Sequence, residues 1–203
     1  MQLLNQLLLN ADIKEIEDTF RQNPNLTYNL LRLVNSVAIG LREKIKTLRH
    51  AIMVLGQQQL KRWILLALFA YKDTPGAISP LLEIAAMRGR LMELLAQKHP
   101  VLGRDHDYVD SAFMTGLLSL IDVLFGVAMD DIVEQLNLDN NISRALLARE
   151  GRLGGLLQLA EKVEQVDFPS VLKLMEQSQL NIDHLMAAQL EAINWTNSLS
   201  RLS

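Results

Sequence analysis

The residues in this chain that could carry chemistry are few. His106-Asp107 is the most suggestive pair, because an imidazole and a carboxylate side by side are what a divalent metal takes from a helix. The pair stands in a polar loop, however, and Asp107 is placed to cap the helix that follows. Asp105, Asp107 and Asp110 approach the spacing of a calcium loop, but Val109 takes the fifth position, Asp110 stands where the turn glycine is needed, and Gly116 replaces the closing glutamate. His50, His99 and His184 fall on separate helices without the i, i+4 partner of a helical metal site, and read as surface or interfacial histidines. Gly151, Gly154 and Gly155 follow a helix instead of a strand, and no Lys-Ser/Thr succeeds them. They fail as a phosphate loop and read as a helix break and restart. Ser119 lies between Leu118 and Leu120 and is no nucleophile elbow. The chain has no cysteine, which excludes thiolate catalysis, disulfides and cysteine-ligated zinc. No cofactor or metal is expected.

Two polar features stand out for binding instead. Asn35 and Ser36 interrupt an apolar stretch. A buried amide there must be bonded, so it either pins the loop that follows or meets a ligand. Between Arg32 and Arg62 the chain carries Arg32, Arg42, Lys44, Lys46, Arg49, Lys61 and Arg62 against Glu43 alone. Segment 42–62 reads as a landing surface for an acidic partner or an anion, or as a solvated face that offsets the rest of the domain. The offset is real: residues 1–100 hold 13 Lys and Arg against 8 Asp and Glu, residues 101–203 hold 7 against 15, and the net charge is -3. No specific nucleic-acid partner is expected.

The elements that must position these groups are all helical. Apolar residues recur at helical spacing in segments 3–9, 13–20, 26–37, 48–55, 81–97, 108–120, 130–136, 142–148, 153–163, 170–177 and 182–199, and no stretch alternates with period two. Breaks fall at Pro24, Gly40, Gly56, Pro75, Pro80, Pro100, Gly151 and Pro169. In segment 60–71, Leu60, Trp63, Ile64, Ala67, Leu68 and Tyr71 form one stripe while Leu65, Leu66, Phe69 and Ala70 fill the other side. Such a helix is buried all round. Only its first turn, 57–62, reads as wet. The expected fold is all-α, one domain of residues 1–203 with possible sub-bundles 1–72 and 79–203. In 81–97 the residues expected to face the core are Ile84, Ala85, Leu91, Met92, Leu94 and Leu95. Gly116 among large apolar residues implies close approach of a neighbouring helix. The longest apolar run is far short of the roughly 20 residues a span needs, and residues 1–10 lack a basic leader, so neither insertion nor secretion is expected, and cytoplasm is.

Asn25-Leu-Thr-Tyr-Asn-Leu-Leu-Arg-Leu-Val-Asn-Ser36, followed by Gly40, Ile45, Leu48, Ala51-Ile52, Leu55-Gly56, Leu60 and Trp63, resembles the opening of an HDOD domain, a bacterial signalling module related to the HD phosphohydrolases. The likeness continues through Gly116-Leu-Leu118, Gly151-Arg-Leu-Gly154 and Glu191-Ala-Ile-Asn-Trp195. It is closest to the C-terminal half of proteins that join an EAL cyclic-di-GMP phosphodiesterase to an HDOD domain. That implies an HD-like bundle, coupling to an EAL domain absent from this chain, and a protein partner or that linked domain as the contact. Related chains often read Gly-Leu-Leu-His-Asp-Ile-Gly where this one has Ser119-Leu120 in place of the His-Asp pair. Helix 81–97, where the first ligand histidine of the enzymes would lie, has no histidine. The resemblance therefore implies a non-catalytic module. The alternatives are a sensor of a small molecule or nucleotide using segment 42–62, and a residual metal phosphohydrolase.

Overall fold

The computed structural model describes residues 80–136 and 138–200 and, before them, residues 27, 30–31, 47, 49–51, 53, 56, 60, 62 and 64–66. The chain divides into two compact units. The first takes Met1–Glu83, Glu134–Asn137 and Asn197–Ser203, and the second Ile84–Val133 and Leu138–Thr196. Among the described residues there is no strand.

In the first unit every described position except Thr47 is helical. Leu60, Ile64, Leu65 and Leu66 are all buried although they point in different directions around one helix, as its all-round apolar sequence requires. Of the first turn expected to be wet, only Leu60 and Arg62 are described, and both are buried. Leu60 is 2 % exposed and Arg62 only 9 %.

In the second unit the organising helix is α1 (Pro80–Gln97). Ala85, Ala86, Leu91, Met92, Leu95 and Ala96 are fully or almost fully buried, which takes in all of the helix but the side of Glu83, Met87, Arg90 and Gln97. The small alanines let neighbours approach, and the leucines fill the space beyond them. Ile84 corrects the expected core, being 45 % exposed. It stands at the edge of the unit, on the face that Arg88, Leu91 and Leu95 bury further along.

After a 3-10 turn at Leu102–Arg104 comes α2 (His106–Leu118). Its cap is Asp105, not Asp107. Asp105 takes the extended backbone a cap needs, and its carboxylate accepts from the amides of Asp107 at 3.0 Å and Tyr108 at 3.3 Å. The helix was expected to run to about Leu120, but it stops at Leu118. Ser119 Oγ bonds back to the Gly116 carbonyl at 2.6 Å and Leu120 leaves helical space, after which the chain restarts as α3 (Ile121–Phe125). Gly126 closes α3 in the left-handed region.

α4 (Met129–Leu136), α5 (Asn140–Ala148), α6 (Gly151–Glu164), α7 (Phe168–Gln177) and α8 (Ile182–Ser200) fall where the periodicity put them, each a residue or more longer. The corner between α5 and α6 is tight. Arg149 and Gly151 both have positive φ, and a Cβ on Gly154 would collide with the Arg149 backbone. The expected break and restart is thus a built turn, clamped by Arg149 on the Glu161 carboxylate at 2.8 Å.

Asp167 caps α7 by accepting from the Ser170 amide at 3.3 Å, and hydrogen bonds from Ser170, with Lys162 nearby at 3.3 Å, hold its carboxyl below the ordinary 3.8. A carboxylate with a depressed folded-state pKa contributes stability that is present above the unfolded value and is lost as pH falls through the folded one. The stability gap between the parent and Asp167→Ala should therefore be full at neutral pH and close below about pH 4. Urea melts of both proteins at pH 7 and pH 3 check this. A gap that is unchanged at pH 3 would contradict it.

Candidate functional site

The site begins with two glycines. On α2, a Cβ added to Gly116 would lie 2.8 Å from both the Gly89 Cα and the Arg88 carbonyl oxygen, so α1 and α2 cross backbone to backbone there, as the sequence implied. The crossing brings Arg88, next to Gly89, against Ser119, the residue that ends α2. Arg88 NH1 donates to Ser119 Oγ at 2.7 Å. Its Nε and NH2 donate to the two carboxylate oxygens of Glu164, at the end of α6, at 2.8 and 2.6 Å. The Arg88 side chain is 8 % exposed and that of Glu164 31 %. This is a forked, charge-assisted pair, the strongest kind of side-chain hydrogen bonding.

At the position where the family resemblance puts a His-Asp pair there is thus a hydroxyl and a leucine, and the cation beside them is a guanidinium. Ser119 gives its proton to a backbone carbonyl, which is no base, and accepts from a group that is always protonated. Nothing there can activate it as a nucleophile. Among the described residues no three His, Asp or Glu side chains converge.

The other expected site residues are dispersed. Asn35, Ser36, Arg42, Lys44, Lys46 and Lys61 lie outside the described residues, as does Trp63. Arg49 is helical and exposed. Arg62 departs from the expected exposed surface: it is helical and only 9 % exposed. His106 and Asp107 are exposed in the first turn of α2. His99 is a structural group, its Nδ1 accepting from the amides of Val101 at 3.2 Å and Leu102 at 3.1 Å.

Sequence reasoning missed Arg88 and Glu164. The signal was an arginine on the face of α1 that Leu91, Met92 and Leu95 make apolar, which had to find a buried partner. It also missed two neighbouring clefts in the second unit, of about 370 and 530 Å³, both lined by Tyr108, Gly151 and Arg152. Burial pushes the Tyr108 phenol above its ordinary 10.0, and the charge of Arg152 partly offsets that. A third omission is a stripe on α8, where Ile182, Met186, Leu190 and Ile193 stand exposed at i, i+4, i+8 and i+11. Among the described residues no helix is long and apolar enough to cross a membrane.

Known proteins bear on this geometry. A candidate phosphohydrolase from Shewanella amazonensis SB2B, known from a crystal structure, superposes with a TM-score of 0.59 over 100 % of this chain and 93 % of its own, at 14 % identity. At that identity the likeness shows the fold, an HD-like arrangement of helices. The uncharacterized protein YuxH of Bacillus subtilis is 29 % identical over 98 % of this chain and 47 % of its own length. The cyclic di-GMP phosphodiesterase CdgJ of Vibrio cholerae is 29 % identical over 95 % and 43 %. The chain thus spans about half the length of the curated relatives it matches. The description HDOD domain fits residues 3–155, three quarters of the chain and all of α1 and α2 with the Arg88–Ser119 contact between them, and the chain belongs to the HDOD family.

Proposed function

We propose that this chain is a non-catalytic signalling module of cyclic-di-GMP pathways, acting in the cytoplasm through contacts with a protein partner or a linked EAL phosphodiesterase domain. The observation that carries the reading is the occupation of the degenerate HD position, Ser119 and Leu120, by the Arg88 guanidinium. A fixed positive charge, held through all three of its nitrogens by Ser119 and Glu164, repels a divalent cation from the place where the enzymes of this superfamily need one. The cyclic-di-GMP link rests on the likeness to CdgJ, and the linked domain on the length of the relatives that this chain does not span. The exposed stripe on α8 supports contact as the mode of action, since a row of large apolar side chains in water marks an interaction surface. Its occupant on this reading is the linked domain. The basic segment has less support as a sensor site, because Arg62 is buried.

The purified chain should show no turnover of cyclic di-GMP with manganese present. Its expression in a bacterial host should nonetheless alter the cellular cyclic-di-GMP level, and Met186→Lys with Leu190→Lys should erase that change without unfolding the protein. Metal-dependent turnover abolished by Ser119→Ala would sink the non-catalytic reading. An unaltered nucleotide level would sink the signalling one.

A further inference from the structure

We propose that the cleft of about 530 Å³ in the second unit binds a small monocarboxylate with an aliphatic body, the acid held by Arg152 and Tyr108 and the chain lying over Gly155 of α6. This goes beyond the signalling reading and does not depend on it.

The first support is an unanswered charge. Arg88, Arg90, Arg144 and Arg149 each hold a carboxylate, whereas Arg152, exposed in the first turn of α6, holds none among the described residues; Arg104 holds none either, but of the two only Arg152 lines the cleft. Beside it the Tyr108 hydroxyl, half-buried, makes no hydrogen bond to a described residue. His99 adds a third donor. Its Nδ1 is spent accepting two backbone amides, which leaves the ring hydrogen on Nε2, and its ring meets the Tyr108 ring edge to face with centroids 6.2 Å apart. All three residues line the same cleft, and none of these donors meets a protein acceptor among the described residues, which leaves room for an acceptor from outside.

The second support is shape. A Cβ on Gly155 would meet nothing within 4 Å, so open space stands over α6 at that residue. The cleft is lined on its other sides by Leu95, Leu156, Leu174 and Leu180, and its volume falls within the range of small-ligand sites. Gln177, Ser178 and Gln179 line it as well, and a cleft that joins apolar surface to polar groups suits an amphipathic molecule. The charge on the ligand follows from the neighbouring cleft, where Asp105, Asp107, Asp139 and Glu150 lie close by. One guanidinium without a carboxylate balances one negative charge, and those acids repel a multiply charged phosphate or dinucleotide more strongly than a monocarboxylate.

The probe is decanoate below its micellar concentration, titrated by calorimetry into the whole chain, with decylammonium and inorganic phosphate as parallel arms. Decanoate should bind saturably and raise Tm, while the other two should not. Arg152→Gln should weaken binding at least tenfold and Tyr108→Phe several-fold. Gly155→Trp should abolish it by filling the space, and circular dichroism should show the variant still folded, since the Cβ itself meets nothing within 4 Å. Absence of saturable decanoate binding, equal binding of decylammonium, or parent-like affinity in either Arg152→Gln or Gly155→Trp would overturn the assignment.

Discussion

Gly116→Leu should destabilise the second unit by about 3 kcal/mol or more, the cost of forcing extra atoms into a packed site where the neighbours cannot yield. Those neighbours are the Gly89 Cα at 2.8 Å and the Arg88 carbonyl carbon at 2.9 Å, both backbone, so relief comes only by driving α1 and α2 apart. Against a total of roughly 5–15 kcal/mol that loss is severe. Gly116→Ala meets the same atoms with one carbon and regains about 1 kcal/mol of helix propensity, so it should fall between Leu and parent. Gly89→Ala is the control. Its Cβ would stand 3.1 Å from the Phe113 carbonyl oxygen and 3.4 Å from the Phe113 ring, so the effect should stay within about 1 kcal/mol of zero. Urea unfolding of the four proteins gives the order. Equal stability of Gly116→Leu and parent would mean the helices do not cross there.

Arg88→Met should cost about 2–3 kcal/mol. Breaking a fully buried ion pair costs about 3–5 kcal/mol, because the partner is left charged and dry. Here the estimate is reduced because the Glu164 side chain is 31 % exposed and recovers some hydration, while Ser119 loses the donor to its oxygen. The double variant Arg88→Met/Glu164→Met should be more stable than Arg88→Met alone, since removing both partners removes the stranded charge. A double-mutant cycle built on Arg88→Met and Glu164→Met reads the coupling directly. Additive losses would show that the fork is not a unit, and would remove the observation on which the non-catalytic reading rests.

The two variants separate what was legible in the chain from what was not. Gly116 could be read in advance, because a glycine among large apolar residues in a helix has few other reasons to be there. That its counterpart is Gly89 could not, since a glycine in α1 carries no mark of which helix it faces. Leu120 was legible as a residue that cannot ligate a metal. The guanidinium beside it was not, because Arg88 and Glu164 are 76 residues apart and no local rule links them.

By itself the sequence determined the local and the chemical: helices from the 3.6-residue recurrence of apolar side chains, breaks from proline and glycine, and family from motifs that carry their own spacing. It excluded thiolate and phosphate-loop chemistry because those require residue types or orders that are absent. Where caps competed it was less decisive. Asp105 and Asp107 are both good capping residues, and only the backbone angle at Asp105 chose between them. Burial was the other thing left to tertiary structure. The sequence cannot say whether Arg62 is buried or stands in water, nor that Ile84 is left outside while Arg88, one turn on, is drawn in. Those outcomes depend on which surfaces meet, and the burial energy that decides them belongs to pairs of distant segments, not to any one of them.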